Sequence, residues 1–342
     1  MSDPLADSAE RLFAAHAGMG VRRSAEDGVF PQPLWDAVTD AGFTAALLPE
    51  AAGGFGATVA EAMGLLQISA AHAAPIPLAE TMLAGWLLAR AGLPVPKGPL
   101  TLAPVRSKEA LSLQRAGEGW RLRGTASRVP WARDAAAIVV LADGPAVALP
   151  GRGEFTVNHD CNLAGEPRDT ITVDTTVEAR PVDVGPAQLR AAGAAVRTAQ
   201  IAGALSRALA LSVQYAQTRV QFGRPIGKFQ AVQQSLAVLA GQSAAAIAAA
   251  DMATDALANG LAPLLVGAAK ARAGEAASIA AGLAHQAHGA IGFTQDYELH
   301  TLTRRLWSWR DEFGHEAEWN AVVGRAALAA GPDGLWPALT AA

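Results

Sequence analysis

The spacing of apolar residues changes twice along the chain, which predicts three stretches of different secondary structure. Up to about residue 97 the spacing is helical, and helices are expected at 35–43, 59–71 and 78–91. Between residues 98 and 185 the period becomes two, which predicts strands at 101–105, 111–114, 120–123, 137–141 and 170–173. Gly117–Glu118–Gly119 is expected to form a hairpin turn between two of these strands. From residue 186 onward apolar residues recur every three or four positions, which predicts three long helices.

This order of elements predicts an α+β fold, because strands and helices do not alternate as they do in a doubly wound sheet. The expected units are an N-terminal helical domain (1–97), a middle β-barrel or sandwich domain (98–185) and a C-terminal helical bundle (186–342). The long helices are rich in alanine. Small side chains let helix axes approach closely, and broad faces of this kind also favour association between chains.

Composition narrows the class of protein. The 342 residues are 51% hydrophobic and 17% charged with a net charge of -4, so a globular protein is expected and nucleic acid is not an expected partner. Cys161 is the only cysteine. A lone thiol without a basic, apolar N-terminal signal is typical of a protein kept in the cytoplasm. The uncharged stretch 229–250 contains four glutamines and two serines, so a buried helix is predicted there rather than a membrane span.

Two local patterns have a plain structural interpretation. Gly53–Gly54–Phe55–Gly56 lacks the Lys-Ser/Thr of a P-loop and is expected to be a tight turn. His285 and His288 share a helix face, but no Cys, Asp or Glu completes a familiar metal site, so no metal is expected. No G-x-S-x-G elbow or other local nucleophile signature supports a hydrolase.

The segment 218–230 carries the most chemistry. It joins two predicted helices and places Arg219, Arg224 and Lys228 among aromatic residues and glycines. A guanidinium binds pyrophosphate in a bidentate way that lysine does not reproduce, so this turn is a candidate anion site. On residue chemistry alone, a charged and solvated connection fits the pattern equally well.

Three motifs in one order resemble those of acyl-CoA dehydrogenases. Arg219 to Ile226 with Phe229–Gln230 resembles the family's Arg-x-x-Phe-Gly-x-x-Ile…Gln signature. Gln286 to Thr294 resembles its Gln-x-x-Gly-Gly-x-Gly-Phe turn, with Ala290 in place of the second glycine. Pro49 to Gly56 resembles its Pro-Glu-x-x-Gly-Gly-x-Gly segment. The resemblance implies a helical domain, a β-barrel domain and a four-helix bundle.

The resemblance also implies a cofactor site for FAD between subunits. It implies that Arg219 binds the FAD pyrophosphate and that Phe222 lies near the adenine. The remaining residues implied for this nucleotide arm, which belongs to the flavin of the neighbouring subunit, are Ile226, Gln230, Gln286 and Gly289. The family reaction is α,β-dehydrogenation of an acyl-CoA thioester, in which a glutamate removes the Cα proton while hydride passes from Cβ to the flavin.

The catalytic half of the family pattern is missing. The Glu-Gly position that holds the family's base falls on Phe313–Gly314, with Glu312 one residue early, and the alternative base position falls on Gly193. The family's flavin-and-substrate loop is absent between residues 101 and 122. Arg128–Val129–Pro130 replaces a Trp-Ile/Val-Thr segment, and Pro130 has no backbone N–H to offer a flavin oxygen.

These matches and losses leave three hypotheses. In the first, the chain lacks the base and completes the FAD site of a homologous catalytic subunit in a heterotetramer, an arrangement the family uses for bulky acyl groups such as sterol side chains. In the second, it is a self-sufficient homo-oligomeric dehydrogenase that uses Glu312, or Asp311, as base. In the third, it is a scaffold without catalytic role.

Both catalytic hypotheses imply an acyl-CoA substrate, from fatty acid or sterol side-chain degradation, and an electron-transfer protein as acceptor. Near the candidate base, Arg304–Arg305 with Trp307 and Trp309 forms a further group of charged and aromatic residues. It is expected to be an interface or a capped helix end rather than a contact to CoA phosphates.

Overall fold

The computed structural model describes residues 3–106, 109–117, 119–142 and 146–340. Glu118 of the predicted hairpin turn therefore lies outside the described residues. The chain forms two compact units, one made of Met1–Leu65 and Pro75–Gly193 and the other of Leu66–Ala74 and Ala194–Ala342. The first unit contains the strands together with most of the N-terminal helical stretch, so the division into three domains stays a prediction.

The N-terminal stretch is helical, as its apolar spacing predicts. The predicted helix at 59–71 has the expected bounds, and the one at 78–91 ends one residue earlier. The helix expected at 35–43 instead begins at Gln32, because Pro33 suits its first turn, and it ends before Gly42, whose φ of 76° breaks the helix. The helices are α1 (Pro4–His16), α2 (Met19–Glu26), α3 (Gln32–Asp40), α4 (Val59–Ala71) and α5 (Leu78–Arg90).

The strands of the first unit form two four-stranded sheets with orders β1-β4-β5-β8 and β2-β3-β7-β6. Fully buried residues of both sheets, including Leu122, Ile138 and Ile171, belong to one shared core, which confirms a layered β arrangement. The strands are β1 (Leu100–Ala103), β2 (Ser112–Ala116), β3 (Gly119–Pro130), β4 (Ala137–Ala142), β5 (Ala146–Ala148), β6 (Phe155–Asn158), β7 (Arg168–Val177) and β8 (Ala179–Pro181).

The second unit is a helical bundle that contains the three predicted long helices and two further ones. Alanines dominate the contact between the second and third long helices, where Ala246, Ala253, Ala273 and Ala280 are fully buried. The last helix is broken at Gly331, where φ is 68° and ψ is 178°. The helices are α6 (Pro186–Thr218), α7 (Gln230–Ala258), α8 (Pro263–His288), α9 (Leu299–Asp311) and α10 (Glu316–Thr340).

Helix α7 corrects one prediction. The helix forms as expected, but only 33% of its most apolar window is buried, so it is not the buried helix that its composition suggested. Its exposed face includes the small residues Ala237, Gly241, Ala244 and Ala248. By length and composition alone α7 could cross a membrane, although a helix from the core of a bundle passes the same test.

Candidate functional site

The connection between α6 and α7 contains a small hairpin that the sequence did not predict. Strand β9 (Val220–Gln221) pairs antiparallel with β10 (Arg224–Pro225). Phe222 and Gly223 form the two-residue turn with φ values of 51° and 77°, the backbone of a type I′ hairpin. The turn leaves the Phe222 side chain 92% exposed. A large aromatic residue is thus held outward in a conformation that residues other than glycine rarely adopt.

Backbone hydrogen bonds fix the base of this hairpin. The Arg219 N–H donates to the carbonyl oxygen of Tyr215 at 2.8 Å, and the Arg219 carbonyl accepts from Ile226 N–H at 2.8 Å. The guanidinium of Arg224 lies 4.2 Å from the centre of the Phe229 ring, a cation–π contact. Arg219 and Gln230 are exposed and Ile226 is half-buried. The backbone of the hairpin is therefore held by hydrogen bonds at its base, while the side chains of Arg219 and Gln230 remain exposed.

The hairpin carries an uncompensated positive charge. Within the described residues, no carboxylate lies within 4 Å of the charged groups of Arg219, Arg224 or Lys228. Other arginines of the same unit are paired, as in the contact of Arg207 with Glu298 at 2.5 Å. Exposed cations without a protein counter-ion make this turn suitable for an anionic ligand.

The second predicted motif lies at the end of α8. The helix ends at His288, Gly289 takes a φ of 65°, and a 3-10 turn covers Gly289–Phe293. Gln286 and Gly289 are both exposed. The His288 ring stacks on Tyr215 with centroids 4.6 Å apart. Since Tyr215 also binds the backbone of Arg219, the two motifs lie at the same end of the second unit.

His285 and His288 are packing residues in this arrangement. His285 Nε2 lies 2.8 Å from Thr303 Oγ1, and its ring stacks on Phe293 with centroids 4.0 Å apart. His288 Nδ1 lies 2.8 Å from the Ala284 carbonyl oxygen. Burial lowers the pKa of both imidazoles, which favours their neutral form. In the part of the chain that the structure describes, no group of three or more His, Cys, Asp or Glu could hold a metal ion.

Glu312, the candidate base, lies directly after α9 in an ion pair. Its Oε2 accepts a hydrogen bond of 2.7 Å from Arg197 Nε on α6. The side chains are 16% and 2% exposed, so the pair is largely removed from water. Phe313, which counting from the motif puts at the family's Glu-Gly position, is buried with a φ of 55°, and the Arg197 guanidinium lies 5.8 Å from its ring centre.

A buried lysine of α8 binds the backbone on both sides of Glu312 and Phe313. Lys270 Nζ donates to the carbonyl oxygens of Arg310 at 2.5 Å and Gly314 at 3.0 Å. Lys270 is 1% exposed, and burial lowers its pKa from 10.5 to about 7. Trp319 Nε1 donates to the Phe313 carbonyl oxygen at 3.0 Å. Sequence reasoning missed Arg197 and Lys270, whose only signal is a charged side chain among the alanines of a long helix.

In the first unit, the end of β3, for which the resemblance implies a position facing the flavin, makes hydrogen bonds within this chain. The Ser127 N–H donates to Glu109 Oε2 at 3.0 Å, and the Ser127 hydroxyl donates to Glu109 Oε1. Arg128 and Trp131, on either side of Pro130, have φ values of 59° and 55°. Glu109 is a further residue that the sequence alone did not single out.

The glycine-rich segment near residue 54 is a tight turn between a 3-10 helix, Glu50–Ala52, and α4. A Cβ on Gly54 would lie 1.9 Å from the Leu48 carbonyl oxygen, so the backbone approaches itself too closely for any side chain. The turn interpretation is therefore correct.

The charged and aromatic group on α9 does not form a surface as a whole. Arg305 and Trp309 are 1% and 3% exposed, and Arg305 Nη1 donates to the Thr301 carbonyl of its own helix. The interface interpretation is wrong for these two residues, which pack inside the unit.

Comparison with known proteins gives consistent matches over nearly the whole chain. Residues 3–97 match the family model "acyl-CoA dehydrogenase, N-terminal domain", and residues 191–311 match "acyl-CoA dehydrogenase, C-terminal domain". The acyl-CoA dehydrogenase IpdE2 of Mycobacterium tuberculosis is 32% identical over 306 residues, which is 88% of this chain and 89% of that protein.

Two solved structures of this kind resemble the chain along its length. The Tcur3481–Tcur3483 steroid ACAD gives a TM-score of 0.85 at 27% identity and covers 96% of this chain and 98% of its own. The ChsE4–ChsE5 complex from Mycobacterium tuberculosis gives a TM-score of 0.85 at 26% identity and covers 97% of this chain and 99% of its own.

Proposed function

Because the chain belongs to the acyl-CoA dehydrogenase family, we propose that it serves the α,β-dehydrogenation of an acyl-CoA thioester as the subunit without the catalytic base. In this proposal a homologous catalytic subunit supplies the glutamate and holds the flavin ring, and the present chain completes the nucleotide side of that FAD. Two of the similar structures are named for pairs of chains, which agrees with a heteromeric enzyme.

The nucleotide arm of FAD fits the second unit. Its diphosphate needs cationic donors that are not already paired, and Arg219 is exposed with no carboxylate partner among the described residues. Phe222, 92% exposed at the hairpin tip, offers a ring face against which an adenine could stack. Gln230, Gln286 and Gly289 are exposed at or near the same end of the unit, and Ile226 is half-buried at the base of the hairpin.

The isoalloxazine ring does not fit the equivalent segment of this chain. The backbone N–H and the hydroxyl of Ser127 both donate hydrogen bonds to the Glu109 carboxylate, and Pro130 has no N–H to donate. A carboxylate at this place would also repel the negative charge of a reduced flavin. The donors that a flavin ring would require are therefore used within the chain.

One observation carries the proposal most directly: Glu312, the acidic residue next to the family's base position, is bound to Arg197. A general base must reach the Cα proton with a free carboxylate oxygen, and Glu312 instead directs Oε2 at a buried guanidinium 2.7 Å away. When bound in the complete enzyme, FAD supplies the hydride acceptor. The steroid ACAD among the similar structures favours a bulky acyl group such as a sterol side chain as substrate.

The test is the absorbance spectrum of the chain purified alone and purified with a homologous acyl-CoA dehydrogenase subunit from the same organism. We expect little flavin in the chain alone and flavin in the joint complex. Arg219→Lys should reduce the flavin retained by the complex, because an ammonium cannot bind the diphosphate in a bidentate way. Arg11→Ala on the exposed face of α1 is the matched control and should leave flavin content unchanged.

The self-sufficient alternative makes the opposite prediction. If the chain alone retained stoichiometric FAD and if an acyl-CoA bleached that flavin, the proposed division of labour would be wrong. Loss of this bleaching in Glu312→Gln, with flavin content retained, would then identify Glu312 as the base. A scaffold without catalytic role would give no flavin in either preparation.

A further inference from the structure

Helix α8 ends in a loop whose two ends are joined by a hydrogen bond. His288 is the last residue of α8, and Tyr297 lies two residues before α9. His288 Nε2 lies 3.0 Å from the Tyr297 hydroxyl oxygen. The carbonyl oxygen of Ala284, 2.8 Å from Nδ1, can only accept, so Nδ1 carries the proton and Nε2 accepts from Tyr297. This bond closes the segment 289–296, which we call the closed loop.

The closed loop folds back directly onto the end of α8. A Cβ on Gly292 would lie 3.2 Å from His288 Cβ and 3.1 Å from His285 Nδ1, so the backbone approaches both histidines closely. Within the loop, the N–H and the hydroxyl of Thr294 donate to the Ile291 carbonyl oxygen at 3.0 and 2.9 Å. The loop therefore packs on the same histidine that closes it.

Two contacts hold the closed loop and its far end against α6. The Tyr215 ring stacks on the His288 ring with centroids 4.6 Å apart. Arg207 pairs with Glu298, which precedes α9, at 2.5 Å. Arg207 and Tyr215 belong to one i, i+4 row of α6, and this row leads to Arg219, whose N–H donates to the Tyr215 carbonyl oxygen. Tyr215 therefore contacts both the closed loop, through His288, and the base of the hairpin.

We propose that His288 and Tyr297 are positioning residues, which fix the closed loop relative to the hairpin at the end of α6. The consequence for the cofactor rests on the proposed function. Gln286 and Gly289, which the family motif implies for the nucleotide arm of FAD, flank the start of this loop, and Arg219 belongs to the hairpin. The pair does not need to touch the nucleotide, because it acts by setting the separation of the two motifs.

The chemistry of the pair favours positioning over packing alone. His288 is 4% exposed and burial lowers its pKa, so its neutral ring places two polar atoms inside the unit. Each of these atoms needs a hydrogen bond, since a buried polar atom without one is less favourable than an apolar group of the same shape. A hydrogen bond is directional and apolar contact is not, so the polar pair selects one orientation of the loop.

Amide hydrogen exchange in the full chain tests the closure without any flavin. Tyr297→Phe keeps the ring and removes the donor, so peptides covering 289–296 should exchange at least about tenfold faster. Ser278→Ala is the matched control, because its hydroxyl donates to a carbonyl oxygen of its own helix, and it should leave these rates unchanged. Unchanged exchange of the closed loop in Tyr297→Phe would overturn the proposal.

Titration of the flavin-free joint complex with FAD, followed by flavin fluorescence, tests the consequence for the nucleotide. Tyr297→Phe should raise the dissociation constant of FAD about tenfold, and Ser278→Ala should leave it unchanged. His288→Phe combined with Tyr297→Phe removes both polar partners, so the urea midpoint should return towards that of the wild type while the dissociation constant stays raised. Recovery of both quantities together would show a merely structural role.

The positioning role and the proposed function fail in different ways. If Arg219→Lys weakens FAD binding and Tyr297→Phe does not, the positioning role is wrong and the proposed function stands. If the wild-type complex binds no FAD, the proposed function is wrong, and the exchange rates of the closed loop decide whether the pair fixes it.

Discussion

The contact between Arg197 and Glu312 gives the sharpest test of whether Glu312 is a structural or a catalytic carboxylate. Glu312→Gln keeps the shape of the side chain and removes its charge. Arg197, which is 2% exposed, then keeps a hydrogen bond to Gln200 Oε1 and a ring contact to Phe313 but loses the Glu312 carboxylate. Breaking a buried pair by removing one partner costs about 3–5 kcal/mol. The amide oxygen still accepts one hydrogen bond, so we expect a loss of about 3 kcal/mol.

Urea unfolding followed by tryptophan fluorescence measures this loss, since Trp319 binds the Phe313 carbonyl within the same turn. For a slope of about 3 kcal/mol per M, the midpoint should fall by about 1 M. Removing both charges with Arg197→Met and Glu312→Leu should recover most of the stability, because no unpaired charge then stays buried. Asp183→Asn is the matched control, since the Arg90–Asp183 pair is 42% and 67% exposed and its loss should not move the midpoint.

The result that would refute this reasoning is a Glu312→Gln chain with an unchanged urea midpoint. A carboxylate whose removal costs nothing is not held by Arg197, and it would be free to act on a substrate. A normal midpoint together with loss of substrate-driven flavin bleaching would support the self-sufficient dehydrogenase.

The remaining predictions concern the buried charges and one glycine. Because burial lowers the pKa of Lys270 from 10.5 to about 7, the unfolded chain binds more protons in this window, so the free energy of unfolding should rise with pH by at most about 1.4 kcal/mol per pH unit. Lys270→Met should remove that slope in urea unfolding at a series of pH values. The lowered pKa of His288 should make stability fall as pH drops below 6.5, and His288→Gln should lessen that fall. Gly54→Ala should cost at least about 2 kcal/mol in thermal or urea unfolding, because its Cβ meets a backbone carbonyl, whereas Gly64→Ala on α4 meets no atom within 4 Å and should be neutral or stabilising.

Regular elements with a strong period could be predicted from the sequence. The helix at 59–71 has the predicted bounds, and each of the five predicted strands overlaps an observed one. Helix α9 was missed because its arginines and tryptophans suggested an interface or a capped helix end, whereas Arg305 and Trp309 are among the buried residues of the helix. The β9–β10 hairpin was missed because its turn places Phe222 at positive φ, which sequence patterns do not indicate for an aromatic residue.

The state of the candidate base could not be predicted, because it depends on a contact 115 residues apart in sequence. Counting along the motif predicted that Glu312 lies one residue before the family's base position, but it did not predict the ion pair with Arg197. That partner depends on the register between α6 and the end of α9, which is set by the packing of long alanine-rich helices. The carboxylate of Glu109 was missed for a similar reason, since Ser127 is 18 residues away on another segment.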